Sequence, residues 1–238
     1  MISVSDVRKN FKGLWALDGV SLQLAQGTSY AFIGPNGSGK TTLIKSILGL
    51  VIPTSGLIAV NGTDIKGQWA YRDQIGYMPQ IGRYPDNMRI GQLMDMMRNI
   101  RRRTTGLDDD LVEAFQLTRL YDKPLHTLSG GTRQKVSAAL AFLFDPSILI
   151  LDEPTAGLDP VAVELLKDKV KTEKAKGKLI LITSHIMSDL DELTTHLIYI
   201  NEGRVAYDDP IDKLKQQTGH ERLGKAISHI MTQQAVAH

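Results

Sequence analysis

The run Gly34-Pro35-Asn36-Gly37-Ser38-Gly39-Lys40-Thr41-Thr42 has a glycine, four free positions and then Gly-Lys-Thr, the spacing of a phosphate-binding loop. Glycines let backbone wrap closely round phosphate oxygens with amide N–H groups turned inward. A helix opening at Lys40 adds the positive end of its dipole. In this pattern Lys40 brings a point charge to the β and γ phosphates and Thr41 offers a hydroxyl to Mg²⁺. A second stretch, Ile148-Leu149-Ile150-Leu151-Asp152-Glu153, is an apolar run that stops at two carboxylates. A buried strand ending this way puts both acids at the carboxyl edge of a parallel sheet, where ligands of open α/β sheets bind. Asp152 is then a holder of Mg²⁺, directly or through water, and Glu153 a polariser of attacking water. A third stretch, Leu128-Ser129-Gly130-Gly131-Thr132-Arg133-Gln134, sets a hydroxyl and two bare glycine amides before a long apolar segment. It reads either as a second anion site at a helix N-terminus or as a plain N-cap by Ser129.

These groups need strands and helices to aim them. Tyr30 to Ile33 is a short apolar run stopping at Gly34, as a buried parallel strand does, and a helix from Lys40 to Leu48 follows. Upstream, Ile2, Val4 and Val7 begin one strand and Val20, Leu22 and Leu24 alternate in another, while Leu57 to Val60 closes at Asn61-Gly62. From Tyr84 to Leu125 the texture turns helical, with periodic segments Ile90–Arg102 and Leu107–Leu117 that read as an inserted lobe. The α/β alternation then returns. Helix Arg133–Phe144 precedes strand Ile148–Leu151, and helix Pro160–Ala175 precedes strand Leu179–Thr183. Such alternation implies a mostly parallel sheet covered on both faces, hence an α/β fold. A hairpin of Leu197–Ile200 and Arg204–Tyr207 turns at Glu202-Gly203, and a polar helical tail, Asp208–His238, ends the chain.

Composition bounds the function. At 238 residues, 42% hydrophobic and 23% charged, the chain suits one globular domain and not a disordered segment. With 28 Lys+Arg against 26 Asp+Glu there is no concentrated basic excess, so nucleic acid is not an expected partner. The absence of cysteine removes disulfides, thiolate metal sites and Cys nucleophiles. The longest apolar runs, such as Ala138–Phe144, fall far short of the ~20 residues that span a bilayer. No secretory signal is visible, so a cytoplasmic protein is expected. Arg98, Arg101, Arg102 and Arg103 form a basic cluster in the helical lobe, read as a solvated helix end or as a contact with lipid or a partner. Met88, Met94, Met96 and Met97 read as core filler.

In their order along nearly the whole chain, these motifs resemble the nucleotide-binding subunit of an ATP-binding cassette (ABC) transporter. Gly34 to Thr42 resembles Walker A, Gln80 in Tyr77-Met78-Pro79-Gln80 the Q-loop, and Leu128 to Gln134 the family signature. Ile148 to Glu153 resembles Walker B, Ala156 to Asp159 the D-loop, and His185 in Thr183-Ser184-His185 the switch histidine. Thr132 stands where the family often has Gln. The base-stacking aromatic corresponds to Phe11, with Trp15 as rival. The resemblance implies a RecA-like P-loop NTPase core with a mostly parallel sheet, an N-terminal antiparallel β-subdomain and an inserted α-helical lobe. It implies a core of about residues 1–80 and 146–207, a lobe of about 81–145 and a tail of 208–238. It further implies ATP and Mg²⁺, a head-to-tail homodimer, and ATP at Walker A closed over by Ser129, Gly130 and Gly131 of the other copy. Gln80 is expected at Mg²⁺ and the water, His185 at the γ-phosphate, and Asp159 at the dimer seam. A separate transmembrane permease is the expected partner, holding the subunit on the inner face of the cell membrane. The alternative is a soluble ABC-type ATPase that drives cofactor or metal-site assembly. Gly157 to Pro160 resembles the ATPases of multidrug or ABC-2-type exporters, and Lys178 to Ile200 is somewhat similar to the ATPase of nitrous-oxide-reductase copper-site maturation.

Overall fold

The computed structural model describes residues 1–236, with side chains through Met231. Its strands are β1 (Ile2–Phe11), β2 (Leu14–Leu24), β3 (Ser29–Ile33), β4 (Ser55–Val60), β5 (Thr63–Asp64), β6 (Ile75–Met78), β7 (Ile148–Asp152), β8 (Leu179–Thr183), β9 (His196–Asn201) and β10 (Arg204–Pro210). Its α-helices are α1 (Lys40–Ile47), α2 (Ile90–Arg101), α3 (Asp110–Ala114), α4 (Gly130–Phe142), α5 (Pro160–Ala175), α6 (Met187–Leu193), α7 (Ile211–Thr218) and α8 (Leu223–Val236). The chain divides into two compact units, Met1–Tyr71 with Leu181–His238, and Arg72–Ile180, the boundary falling inside β8. Of the expected helical tail, Ala237 and His238 lie outside the described residues.

In the first unit, Ile2, Val4 and Val7 on β1 and Val20, Leu22 and Leu24 on β2 are all buried, and the two strands pair antiparallel from Ile2↔Leu24 to Phe11↔Leu14, with bulges or irregularities between Val4 and Val7, Val7 and Lys9, and Lys9 and Asn10. The turn joining them, Lys12-Gly13, has positive φ at both residues, the twist a tight hairpin needs. β4 pairs with the other edge of β1, giving the order β2-β1-β4-β5. The fully buried β3 runs parallel to β9, and β10 returns antiparallel, in the order β10-β9-β3-β8. The expected hairpin at Glu202-Gly203 is present with both residues at positive φ.

In the second unit the order is β8-β7-β6, with β6 and β7 parallel. The four aliphatic residues Ile148 to Leu151 are at most 1% exposed, as the apolar run requires. The helix expected over Leu107–Leu117 is shorter. Only Asp110–Ala114 is α-helical, Gln116 takes a left-handed φ of 53°, and a 3₁₀ turn follows at Leu117–Leu120. That break still buries Leu111, Val112, Phe115 and Leu117, so the helical period was real and its continuity was not.

Three of the four clustered arginines are fastened within this unit. Arg101 donates to Asp73 at 2.7 Å and to the carbonyl of Arg72 at 3.1 Å, and stacks 5.5 Å from the Phe144 ring centroid. Arg103 donates to the carbonyls of Phe144 (2.7 Å) and Gly106 (2.6 Å). Arg98 pairs with Asp95 at 3.2 Å. A buried ionic cluster ties the segment before α3 to α5. Lys169 reaches Asp108 (2.5 Å), Asp110 (2.7 Å) and Glu173 (3.1 Å). Glu173, with no side-chain exposure, also receives Lys176 and Lys178, and Lys178 pairs with Asp145. Burial alone would raise the Glu173 pKa, but bonds from Lys176, Lys178 and Lys169 hold it at about 2. Of the four methionines, Met94 is fully buried and Met88, Met96 and Met97 are half-buried, consistent with packing.

Candidate nucleotide site

The phosphate loop leaves the end of β3 and enters α1. Gly39 at its close has φ 107°, and a Cβ there would lie 2.4 Å from the Ala16 carbonyl oxygen, so only glycine fits. α1 has no side-chain cap and no acid in its first turn, so its positive N-terminal end is not neutralised by a side chain there. The Lys40 ammonium folds over the loop and donates to the carbonyls of Gly34 (2.6 Å) and Pro35 (3.0 Å). Ser38 is 3% exposed, and its Oγ has no hydrogen-bond partner. A buried hydroxyl left unsatisfied is uncommon and costs free energy, so it marks a place for an acceptor. The backbone is anchored by Gly203 N–H to Ser38 O at 2.9 Å and Asp18 N–H to Gly203 O at 2.9 Å.

The two aromatic candidates sit beside the same hairpin turn, each 47% exposed. Phe11 pairs with Leu14 and Asn10 with Trp15, with an irregularity in the pairing between Lys9 and Asn10. Lys9 Nζ sits 4.9 Å over the Phe11 ring, and Lys9 pairs with the buried Leu17, whose Cδ2 lies 3.1 Å from the point a Cβ on Gly39 would occupy. Both aromatics thus flank the hairpin whose second strand carries Leu17 against the phosphate loop. His185, also in this unit, is exposed in the turn after β8, where Ile186 N–H bonds Ser184 Oγ at 3.0 Å.

In the second unit, Gln80 is exposed just past β6. Asp152 ends β7 half-buried, and Glu153 follows at a left-handed φ of 52°. Tyr77 pairs with Ile150 across β6 and β7. Burial, with the Asp152 charge adding to it, raises the Tyr77 phenol to about 12, so it stays neutral at any working pH. Ser129 is an N-cap: its Oγ accepts from Thr132 N–H at 3.2 Å and lies 2.9 Å from Thr132 Oγ1. Ser129 and Gly130 are nonetheless exposed at the start of α4.

The first turns of α4 meet the segment after β7 at three points. Gly131 comes so close that a Cβ would lie 2.7 Å from the Gly157 carbonyl oxygen. Buried Gln134 donates from Nε2 to the Glu153 carbonyl at 3.3 Å. Lys135 Nζ lies 2.6 Å from Asp159 Oδ2, while Asp159 Oδ1 caps α5 by accepting from Ala162 N–H at 3.0 Å. The Lys135 bond is the main reason the Asp159 pKa is lowered. Gln134 closes the signature stretch in the sequence without a role of its own, and Lys135 lies just past it. Their spacing from Gly131, three and four residues on, is the signal that places them on its helix face.

Residues 17–156 match the family model described as ABC transporter. The chain belongs to the ABC transporter family. It is 31% identical over 236 residues to the Nod factor export ATP-binding protein I of Ralstonia nicotianae, covering 95% of this chain and 70% of that one. A solved ATP-binding subunit of an ABC transporter superposes with a TM-score of 0.88 at 28% identity, covering 97% of this cassette and 99% of that chain. A dimeric ATP-binding cassette bound to ADP and Pi shares the fold, with a TM-score of 0.76 at 23% identity over 88% of this cassette and 98% of that chain. The cassette thus has a RecA-like P-loop core with an antiparallel N-terminal sheet, a mostly parallel larger sheet and inserted helices, and it hydrolyses ATP. Family membership implies ATP and Mg²⁺. The phosphate loop fits the nucleotide: unpartnered Ser38 Oγ and the uncapped N-terminus of α1 suit phosphate, and the Thr41 hydroxyl is an oxygen donor of the kind Mg²⁺ takes. No described helix is long and apolar enough to cross a membrane.

Proposed function

We propose that two copies of this cassette pack head to tail and hydrolyse ATP to drive a separate transmembrane permease of an exporter. The observation that carries the nucleotide role is the loop itself, where Lys40 rests on its own carbonyls and buried Ser38 Oγ lacks a partner. Residues 34–39 wrap the phosphates. Lys40 leaves the carbonyls of Gly34 and Pro35 for phosphate oxygens, and Ser38 gains its acceptor. Thr42 lies half-buried in the first turn of α1, and its backbone amide adds to the donors there. Phe11 stacks on the base, with Trp15, on the paired strand of the same hairpin, as the rival for that role. Thr41, Asp152 and Gln80 hold Mg²⁺, which when bound draws charge from the phosphates.

Glu153 accepts the proton of the attacking water, Gln80 orients that water, and His185 steadies charge on the γ-phosphate. The partner subunit's Ser129, Gly130 and Gly131 close the site. The catalysis is positioning and charge neutralisation of an in-line phosphoryl transfer. The export-named relative favours an export partner over a copper-maturation one. The permease holds the subunit peripherally on the cytoplasmic face, with Gln80 and the segment Tyr84–Arg103 as the docking side. Lys40→Ala tests the nucleotide role directly. Loss of a charged donor should weaken ATP binding roughly 10- to 100-fold in equilibrium titration. Unchanged affinity would show that this loop is not the phosphate site.

A further inference from the structure

We infer that Gln134 is a positioning residue for Glu153, so that one turn of the signature helix sets the geometry of the water-activating carboxylate. The inference rests on the reading of Glu153 as the base. Glu153 stands at φ 52°, a left-handed conformation that residues with a side chain enter at a cost, here at the end of a buried strand rather than in a hairpin turn. Its carbonyl accepts two hydrogen bonds, from Gln134 Nε2 at 3.3 Å and from Ala156 N–H at 3.2 Å. Gln134 is 5% exposed, so its amide donor is committed inside the protein rather than shared with water. Gly131 against Gly157, and Lys135 against Asp159 at 2.6 Å, flank that bond and fix the helix along the same segment.

The direction of Cα–Cβ follows from φ and ψ. Releasing the carbonyl lets residue 153 relax toward an ordinary backbone region, and its carboxylate swings away from the water. The same helix turn begins at Ser129 and Gly130, so whatever engages the signature loop is felt at Glu153 through a chain of bonded neighbours, not through solvent. Gln134 itself touches no reacting atom.

The test uses Gln134→Met, unbranched and of similar length without the donor, and Gln134→Leu as a second variant. Both should lower kcat by about tenfold, the effect of losing one buried hydrogen bond that holds a reacting group, with the KM for ATP and equilibrium ATP binding within about twofold of wild type. Amide hydrogen exchange across residues 153–158 should quicken in both. A parallel series places Gln134→Met in a Glu153→Gln background. There the substitution should change the residual rate little, because the base it positions is gone. An unchanged kcat in both variants, or the same fold-loss in the Glu153→Gln background, overturns the inference. Full turnover by Glu153→Gln alone would instead overturn the reading of Glu153 as base, so the two failures are told apart.

Discussion

Two stretches of this chain begin with bare glycines at a helix N-terminus, and they are built for different lives. At residues 34–42 the loop carries its own cation, with Lys40 2.6 Å from the Gly34 carbonyl, and a buried hydroxyl with no partner. At residues 129–134 the hydroxyl is already spent, capping α4 through Thr132 N–H, and the nearby cation Lys135 is bound to Asp159. The first stretch brings a cation, a buried hydroxyl donor and an uncapped helix N-terminus together. The second has exposed amides and little else, which is half a site. An anion needs more than a helix N-terminus, whose dipole alone contributes about 0.3–1 kcal/mol at an exposed position. The asymmetry argues that the signature loop closes over a phosphate already held by another copy.

The largest effect that sharpens this contrast comes from the base. Glu153→Gln keeps shape but cannot take the water's proton, so turnover should fall roughly 10²- to 10⁴-fold while ATP binding persists. Single-turnover hydrolysis with a separate binding titration checks it, and undiminished hydrolysis would assign the water to another group.

Next comes the buried charge that braces the second stretch's unit. Glu173→Gln leaves Lys169 and Lys178 short of a partner and should cost about 3 kcal/mol of stability near neutral pH. The Glu173 pKa is depressed from 4.5 to about 2, so its stabilisation is present above pH 4.5 and disappears as pH falls toward 2. Denaturant midpoints of wild type and variant should therefore converge on acidification across that window. A gap that stays constant down to pH 2 would mean that the carboxylate charge is not what braces α5.

The smallest effects separate the two loops most finely. Ser129→Ala removes a cap and should lower stability by about 1 kcal/mol. Ser38→Ala removes a hydroxyl with no partner and should leave the nucleotide-free protein as stable as wild type or up to about 1 kcal/mol more so, while weakening ATP binding. Chemical denaturation without nucleotide measures both. Equal destabilisation by the two would erase the distinction between a spent and a waiting hydroxyl.

The sequence showed these loops because their chemistry is local. Fixed spacing around Lys40, and an apolar run ending at Asp152-Glu153, survive without any knowledge of tertiary structure. The hairpins were equally readable from Asn61-Gly62 and Glu202-Gly203, where turn residues leave the backbone few options. What stayed hidden depends on distant partners. β6 is four residues with Gly76 inside, too short and weak to register as a strand. Lys169 and Glu173, spaced as an ordinary solvated helix pair, are in fact buried against Asp108 and Lys178. The clustered arginines read as a charged helix end open to solvent or a partner. Arg101 and Arg103 instead hold backbone carbonyls, while Arg102 sits exposed at the C-cap of α2. The left-handed backbone at Glu153 had no sequence signal, because nothing about a glutamate announces a positive φ.

The central claim is that the half-site at Ser129 completes the loop at Lys40 of another copy, and complementation by mixing tests it most directly. Lys40→Ala breaks the phosphate loop, and Ser129→Arg places a bulky cation where the other copy's γ-phosphate docks. Each homodimer then has two broken sites. A mixed dimer concentrates both lesions in one site and leaves the other whole. Each variant alone should be inactive, and mixing should restore ATPase, up to about a quarter of the wild-type rate if half the dimers are mixed. Crosslinking verifies that mixed dimers form. Full turnover by Ser129→Arg alone, or crosslinked mixed dimers as inactive as their parents, would contradict it.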